Sequence, residues 1–387
     1  MGKNKNCLLL NHNTAYICII IFTLFIISLK PTDCMAKVKG KCVNCHTMHN
    51  SQDGIVDPNG QAPIPSLLNN DCIGCHSSDE SSTYYDLDKD DPNDSLVPVV
   101  NYTGPEAPVN YLAGGNFWWV KEGNSEADDS KGHNIFPGES DDKLSRAPGG
   151  LTCSSNSCHD NLDREYTGSD PGLYRRQGCT GCHMVDDVVQ PSGYHHADDG
   201  GQYDIVNNFP WYRFLKSHIR LSGLWGVIGI EDPKWQAMDE SNSENHNEYL
   251  GKDGGYTSDS WSLANNRTVT AFCCGCHGKF HMQLKDVSSE AWIRHPSDSP
   301  LPNSGEYNAY TTFDPDVPVA RLDLSSYSGS NNSNRSKVTP DKDLVMCLSC
   351  HRPHGSPYPD ILRWDYDEMR VGSENTNGCF VCHTQKN

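Results

Sequence analysis

A short cysteine–histidine motif recurs along this chain and constrains its fold more than any other feature. Six copies have two cysteines three residues apart and a histidine directly after the second cysteine. One helical turn brings both thiols to the same face, where they can reach one porphyrin edge while the imidazole binds its iron. This spacing is the attachment pattern of haem c. The copies are Cys42/Cys45/His46, Cys72/Cys75/His76, Cys179/Cys182/His183, Cys273/Cys276/His277, Cys347/Cys350/His351 and Cys379/Cys382/His383.

A seventh site has a wider spacing. Cys153 and Cys158 enclose four residues, and His159 follows directly. A small disulfide is the other interpretation, but the terminal Cys-His pair, and similar spacings in multihaem cytochromes, favour haem attachment. The sequence therefore predicts seven covalently attached c-type haems, at sites numbered 1 to 7 along the chain, with the wide spacing at site 3.

The remaining cysteines leave almost no material for a disulfide framework. Of 18 cysteines, 14 belong to the seven sites, and Cys7, Cys18 and Cys34 fall in a predicted leader. Only Cys274 is left, and one residue separates it from Cys276, which is too close to replace Cys273 in attachment. We interpret Cys274 as a small buried hydrophobe, with a reactive thiol as the alternative.

The first 36 residues have the features of a secretory signal peptide. Lys3 and Lys5 precede an apolar run over 17–29, and Cys34 and Ala36 stand at the −3 and −1 positions of a cleavage site. The run is shorter than the roughly 20 residues of a membrane span. We expect residues 37–387 to form a single multihaem domain with no membrane span, secreted to the cell surface or medium, with the periplasm as the alternative.

The composition predicts a thin conventional core. Hydrophobic residues make up 36% of the chain, which also has 33 glycines and 23 prolines. Porphyrins would contribute the missing apolar mass. We expect a mostly irregular chain with short α-helices and little β-structure, wrapped around a column of haems. Residues 209–230 are the most hydrophobic part after the leader, and either a helix or a hairpin is compatible with them.

The net charge restricts the partners. Asp and Glu number 50 against 31 Lys and Arg, which gives a formal charge of −19, and haem propionates would add to it. Nucleic acids and anionic lipid surfaces are poor partners for such a chain. Basic redox proteins or cationic metal acceptors suit it better, although an acidic surface also serves solubility.

The histidine count determines what the irons can do. Of 17 histidines, seven belong to the sites and His12 to the leader, so nine remain as second axial ligands. Every haem can therefore have two histidines, which closes the iron to substrate and leaves electron transfer. The nine are His49, His133, His195, His196, His218, His246, His281, His295 and His354.

Some of these assignments stay open. His195 and His196 are adjacent, so only one of them is expected to bind iron, and for His218 a packed core position is an equal alternative. Methionines near the motifs are further alternatives. His49 and His354 each lie about one turn beyond a motif histidine, on the same side of that haem. If they bind iron, it belongs to another haem.

The motifs together resemble secreted multihaem c-type cytochromes of metal-reducing and related bacteria. The resemblance rests on the repeated sites, on the His46/His49 and His351/His354 spacings, and on segments 132–135, 272–281, 294–296 and 347–355. It implies a continuous column of bis-histidine haems that passes electrons to extracellular acceptors or partner proteins. Some such proteins polymerise into filaments in which a histidine of one subunit ligates a haem of the next.

We therefore expect a secreted seven-haem electron conduit and leave filament formation open. The alternatives are a multihaem oxidoreductase with one open iron and a soluble periplasmic carrier. An open iron is often indicated by a lysine in place of the motif histidine, and all seven sites here end in histidine. Electron transfer is thus favoured over enzyme catalysis.

Overall fold

Short helices and isolated turns dominate the architecture. The computed structural model describes residues 40–52, 54–56, 67–91, 95–136, 148, 162, 178–183, 211–216, 226–253, 266–277, 295–327 and 332–386. Within these ranges no helix exceeds five residues. The α-helices are α1 (Cys72–Cys75), α2 (Val269–Cys273) and α3 (Cys379–Cys382). The 3-10 helices are Cys42–Asn44, Phe117–Trp119, Asp129–Lys131, Gly178–Gly181, Gly305–Ala309, Cys347–Ser349, Pro359–Ile361 and Tyr366–Glu368.

The strands are equally short. They are β1 (Ser51–Gln52), β2 (Ile55–Val56), β3 (Ser77–Ser78), β4 (Tyr84–Asp86), β5 (Leu96–Pro98), β6 (Asn101–Tyr102), β7 (Trp211–Lys216), β8 (Gly226–Ile230), β9 (Glu248–Leu250), β10 (Ser299–Pro300), β11 (Ala320–Arg321) and β12 (Asp343–Val345). The predicted fold class, mostly irregular with short helices and little β-structure, is confirmed.

One sheet of six strands gathers distant parts of the chain. Its order is β10-β12-β11-β9-β8-β7, and all neighbours are antiparallel except the parallel pair β9 and β11. Strands β7 and β8 come from the hydrophobic stretch 209–230, so a strand pair forms there rather than a helix. The other pairs are β1-β2, β3-β6 and β4-β5.

Three small apolar clusters border cysteines of the predicted haem sites. The cluster on the sheet includes Tyr249 and Leu344 and extends to Cys273. A second cluster around Phe313 extends to Cys382, and a third around Phe117 and Ile135 extends to Cys179. This arrangement agrees with a core completed by porphyrins, because the clusters end at the sulfurs from which the porphyrins would extend.

A buried ion-pair network joins the central strands. The Arg321 guanidinium donates to Glu248 of β9 at 2.9 Å and to Asp343 of β12 at 2.6 Å. All three side chains are almost completely buried. Removing one partner of such a network leaves an uncompensated buried charge, at a cost of roughly 3–5 kcal/mol. The network therefore fixes the register of strands that are only two or three residues long.

Two further predictions concern the leader and Cys274. Cys274 is buried against Ala271, as expected for a small hydrophobe. The predicted signal peptide, 1–36, lies outside the described residues. Among the helices that the structure does describe, none has the length and apolar character to cross a bilayer.

Candidate haem-binding sites

All six described sites share one local geometry. The backbone N–H of the motif histidine donates to the carbonyl of the first cysteine over 2.8–3.1 Å, which closes one helical turn. The site 2 turn begins at a capping side chain, since Asp71 accepts from Gly74 N–H. The helix that leads into site 5 begins at Thr268, which accepts from Ala271 N–H. In each site a single turn joins the two cysteines and the histidine.

The Nδ1 atoms of four motif histidines are anchored by backbone carbonyl oxygens. A carbonyl only accepts, so Nδ1 carries the hydrogen and Nε2 keeps the lone pair that a metal requires. Burial lowers the pKa of these imidazoles, so they are neutral near pH 7. The pairs are His76 with Pro98 at 2.8 Å, His183 with Arg213 at 2.8 Å, His277 with Pro148 at 2.7 Å and His351 with Asp360 at 2.9 Å.

Three motif histidines face a second histidine across a constant gap. Two imidazoles that bind one metal from opposite sides have ring centres about 6 Å apart, because the metal–nitrogen bond is about 2 Å and the nitrogen lies about 1 Å from its ring centre. The observed separations agree with this value. They are 5.9 Å for His183 and His354, 6.1 Å for His277 and His133, and 6.2 Å for His383 and His295.

Each pair joins one motif histidine to one of the nine others, which is the combination that a bis-histidine haem requires. His133 and His295 also have Nδ1 at a carbonyl oxygen, at 2.7 Å from Pro353 and 3.0 Å from Pro296. Their Nε2 atoms are therefore the ones available to iron. The residues of these three sites fit haem.

His354 is held by an unusually close approach of two backbone segments. Its N–H donates to Gly114 O at 2.7 Å, and Gly355 O accepts from Asn116 N–H at 3.0 Å. Gly115 has a φ of +91°, and a Cβ there would lie 1.9 Å from Gly355 O. Only glycine allows this approach. His354 lies three residues after His351 but faces His183, which agrees with the expectation that it serves a different haem.

Two pairs of sites are neighbours through their sulfur atoms. The Cys72 and Cys179 thiols hydrogen bond, which lowers the pKa of Cys72 to about 7. The Cys347 and Cys273 thiols also hydrogen bond. This hydrogen bond, more than burial, raises the pKa of Cys273. Sites 2 and 4, and sites 5 and 6, are therefore adjacent.

Other sites interact at longer range. Burial raises the pKa of Cys75 to about 11, and the nearby Cys45 of site 1 adds to this rise. Cys182 of site 4 contributes to the raised pKa of Cys273. Burial raises the pKa of Cys350 to about 12, and Cys379 and Cys382 of site 7 add to this rise. Sites 1 and 2, sites 4 and 5, and sites 6 and 7 are therefore within electrostatic range of each other.

Comparisons with known proteins found similar sequences. Residues 340–387, which hold sites 6 and 7, match the family model described as a doubled CXXCH motif. The chain is 24% identical over 404 residues to C-type cytochrome OmcS of Geobacter sulfurreducens, covering 88% of this chain and 82% of that protein.

The chain carries c-type haem. The recognised resemblance to multihaem c-type cytochromes is confirmed by this sequence similarity. Two solved structures are also similar, both from Geobacter sulfurreducens. One, described as an outer membrane cytochrome S filament, has a TM-score of 0.49 at 20% identity, covering 86% of this chain and 85% of that one. The other, of OmcS nanowires, has a TM-score of 0.41 at 18% identity, covering 90% and 91%.

His246 differs from the haem-facing histidines. Its Nδ1 lies 2.8 Å from Asn247 O and its Nε2 lies 3.0 Å from Arg335 O, so both nitrogens face protein oxygens. The ring stacks on Phe313 at 3.5 Å and is fully buried. Neither nitrogen can reach an iron, and the predicted role of His246 as a ligand is corrected to that of a packed core histidine.

Other predicted site residues have different outcomes. His49 is described and exposed, at a φ of +53°. Several lie outside the described residues and remain predictions from the sequence alone. These are Cys153, Cys158, His159, His195, His196, His218 and His281.

One residue near a haem site could not be found from the sequence. Glu306 Oε1 accepts from Nδ1 of His383 at 3.2 Å and also pairs with Lys386 at 3.2 Å. A carboxylate in this position fixes the tautomer and the orientation of an axial imidazole. Because Glu306 is distant from site 7 in sequence and has no motif of its own, only the fold reveals the contact.

Proposed function

We propose that this chain is a secreted cytochrome with seven c-type haems that conducts electrons along a column of bis-histidine irons to extracellular acceptors or redox partners. The row of adjacent attachment sites carries the proposal. Electron transfer between haems requires close spacing. The hydrogen-bonded pairs Cys72–Cys179 and Cys273–Cys347, with the electrostatic links among the other described sites, support neighbouring porphyrins along the chain of sites. Six-coordinate irons favour this role over catalysis at an open iron.

The proposed ligand set follows from the ring pairs. His354 completes the iron of His183, His133 that of His277, and His295 that of His383. Four motif histidines then need a second ligand, namely His46, His76, His159 and His351. Five candidates remain for them, namely His49, His195, His196, His218 and His281.

We further propose that copies of the chain assemble into filaments, as the descriptions of the similar structures report for OmcS. The segment around site 1 favours a contact with a second copy. Met48 is 72% exposed and Ile55 is 60% exposed, and the exposed imidazole of His49 lies directly beside Met48. Exposed apolar side chains next to an exposed imidazole suit both burial against a neighbour and donation of an axial ligand to it.

Electron paramagnetic resonance of the oxidised native protein, combined with haem analysis and electron microscopy, tests the proposal. We expect seven haems per chain, low-spin ferric signals only, and filaments in the extracellular fraction. A substantial high-spin signal in the native protein would instead indicate an open iron and a reductase. Discrete monomers under several conditions would reject the filament and keep the electron carrier.

The double substitution Met48→Glu with Ile55→Glu tests the assembly surface. We expect the filament fraction to fall at least tenfold with haem content unchanged, because two buried apolar contacts become charges in an already acidic protein. Sedimentation and electron microscopy measure the outcome. Val109→Glu is the matched control, since Val109 is 85% exposed but lies elsewhere on the surface. Equal assembly of both variants would mean that the site 1 segment does not form the contact.

A further inference from the structure

Arg363 places a positive charge in the interior beside site 6. Its side chain is 6% exposed. Nε donates to Leu348 O at 2.6 Å, and the terminal nitrogens approach Pro315 O and Ala113 O at 3.4 Å. Burial lowers the pKa of Arg363 to about 9, so the guanidinium is still a cation at neutral pH. In the described part of the chain its hydrogen-bond acceptors are all carbonyl oxygens.

A neighbouring arginine shows the contrasting arrangement. Arg352 is equally buried, but its guanidinium pairs with the carboxylate of Asp316 at 2.9 Å. Asp316 is 63% exposed, so that ion pair reaches the surface. The positive charge of Arg352 is paired directly with a carboxylate. Among the described residues Arg363 has no carboxylate within ion-pair distance, and Asp316 acts on it only at longer range.

The Arg363 side chain lies against the turn that forms one predicted haem site. Its Nε donates to the carbonyl oxygen of Leu348, which lies between Cys347 and Cys350, at 2.6 Å. Its backbone N–H donates to Cys350 O at 2.9 Å. The guanidinium therefore lies directly beside the turn that carries Cys350 and His351 of site 6.

We propose that Arg363 raises the reduction potential of the haem at Cys347, Cys350 and His351, which makes this haem a preferred resting place for electrons in the row. The inference rests on the proposed function. Reduction of a ferric haem adds one negative charge to it, and a fixed cation in a low-dielectric interior stabilises the reduced form. No bond forms or breaks, and the electron comes from the neighbouring haem.

The position of site 6 in the row gives this charge a consequence. Site 6 lies next to site 5, because the Cys347 and Cys273 thiols hydrogen bond, and the cysteines of site 7 lie within electrostatic range of Cys350. An electron path from site 5 to site 7 through site 6 would therefore pass the haem beside Arg363. During stepwise reduction this haem is expected to fill early.

Potentiometric titration of the full haem-loaded protein, followed by haem absorbance and low-spin resonance signals, tests the proposal. In Arg363→Gln, the part of the absorbance change that corresponds to one haem should occur at a lower potential than in the native protein. Arg363→Lys, which keeps the charge, should retain the native curve. Arg370→Gln removes an exposed arginine and is the matched control, with no shift expected. An unchanged curve in Arg363→Gln, with all haems retained, would overturn the proposal and indicate that the charge is already neutralised, as by a propionate.

A second variant protects the test against a folding failure of Arg363→Gln. Asp316→Asn removes an exposed carboxylate and leaves the Arg352 charge uncompensated near the same site. One haem's share should then move to higher potential, opposite to the first variant, and no movement would contradict the electrostatic argument. Mass spectrometry of the peptide around 347–351 separates the proposed haem attachment at site 6 from the proposed role of Arg363. Absence of haem on this peptide in the native protein would reject the haem assignment itself, whereas haem present with unmoved potentials rejects only the role of Arg363.

Discussion

At the scale of single residues, two buried histidines that look alike in the sequence have different environments. His354 faces the imidazole of His183 across 5.9 Å, whereas both nitrogens of His246 face backbone carbonyl oxygens. The residue type is shared, and the acceptors around the ring decide whether Nε2 is available to iron. This difference can be tested directly by spin state.

We expect His354→Ala to convert one haem from low-spin to high-spin, because the iron of His183 loses its second ligand. Electron paramagnetic resonance of the oxidised variant measures this change. His246→Gln is the control, since it removes an equally buried imidazole and should lower stability without any high-spin signal. If both variants stayed entirely low-spin, the pairing of His354 with His183 would be wrong.

Asp298 gives a prediction of pH dependence. It is fully buried and accepts from Thr268 Oγ1 at 2.8 Å, and burial raises its pKa from 3.8 to about 7. The folded chain therefore keeps a proton that the unfolded chain releases, so this contribution to stability is full below pH 3.8 and is lost as pH rises to about 7. Asp298→Asn removes the effect.

Denaturant unfolding of Asp298→Asn and the native protein at pH 5 and pH 8 measures this contribution. Between the two pH values, the native protein should lose about 3 kcal/mol more unfolding free energy than the variant. Comparison at each pH cancels the other titrating groups. Parallel losses in the two proteins would show that Asp298 does not carry this proton.

At the scale of elements, the paired segments 114–116 and 354–355 fix the position of a ligand, a role that a long helix has in other proteins. Both approach so closely that glycine is required at 115, and the result is a fixed position for His354. Short irregular segments can hold a ligand firmly when their backbones hydrogen bond to each other.

Gly115→Ala should therefore displace His354. A positive φ costs alanine about 1 kcal/mol, and the Cβ would also meet Gly355 O at 1.9 Å, so the backbone has to move. We expect lower thermal stability and a high-spin signal from one haem. Gly123→Ala is the matched control, with a φ of +94° and open space around the Cβ. Equal behaviour of the two variants would mean that strain alone, and not displacement of His354, explains the loss.

How far the sequence predicted these elements depends on the range of each interaction. The motif turns at Cys72–Cys75 and Cys379–Cys382 are local, so spacing alone predicted their form. The strand pair β7 and β8 was one of two predictions for residues 209–230, because a short hydrophobic stretch is compatible with either a helix or strands. The partner of His354 and the carboxylate on His383 depend on contacts between distant segments, for which one sequence contains no signal.

At the scale of the whole molecule, the apolar clusters of the described residues are small, and three of them extend to a cysteine of a predicted haem site. In a chain with 33 glycines, clusters of this size are expected to bury too little surface to offset the conformational entropy of folding. The expected structure is therefore conditional on the porphyrins.

A chain exported without haem attachment should fail to fold. We expect loss of the cooperative thermal transition and rapid cleavage throughout by a nonspecific protease, measured by circular dichroism and limited proteolysis beside the haem-loaded protein. Mixing the haem-free chain with free haem should not restore the native state, because thioethers would be absent. A protease-resistant, cooperatively unfolding haem-free chain would refute this view of the core.

In the proposed ligand set, each ring pair would also be a crosslink between two distant segments of the chain. The proposed ligands His295 and His383, His133 and His277, and His183 and His354 lie roughly 90, 140 and 170 residues apart, so each iron would close a long loop and reduce the freedom of the unfolded chain. Each crosslink can open and close without breaking a covalent bond. A chain crosslinked in this way would resist mechanical extension, because each iron that carries electrons would also hold two distant segments together.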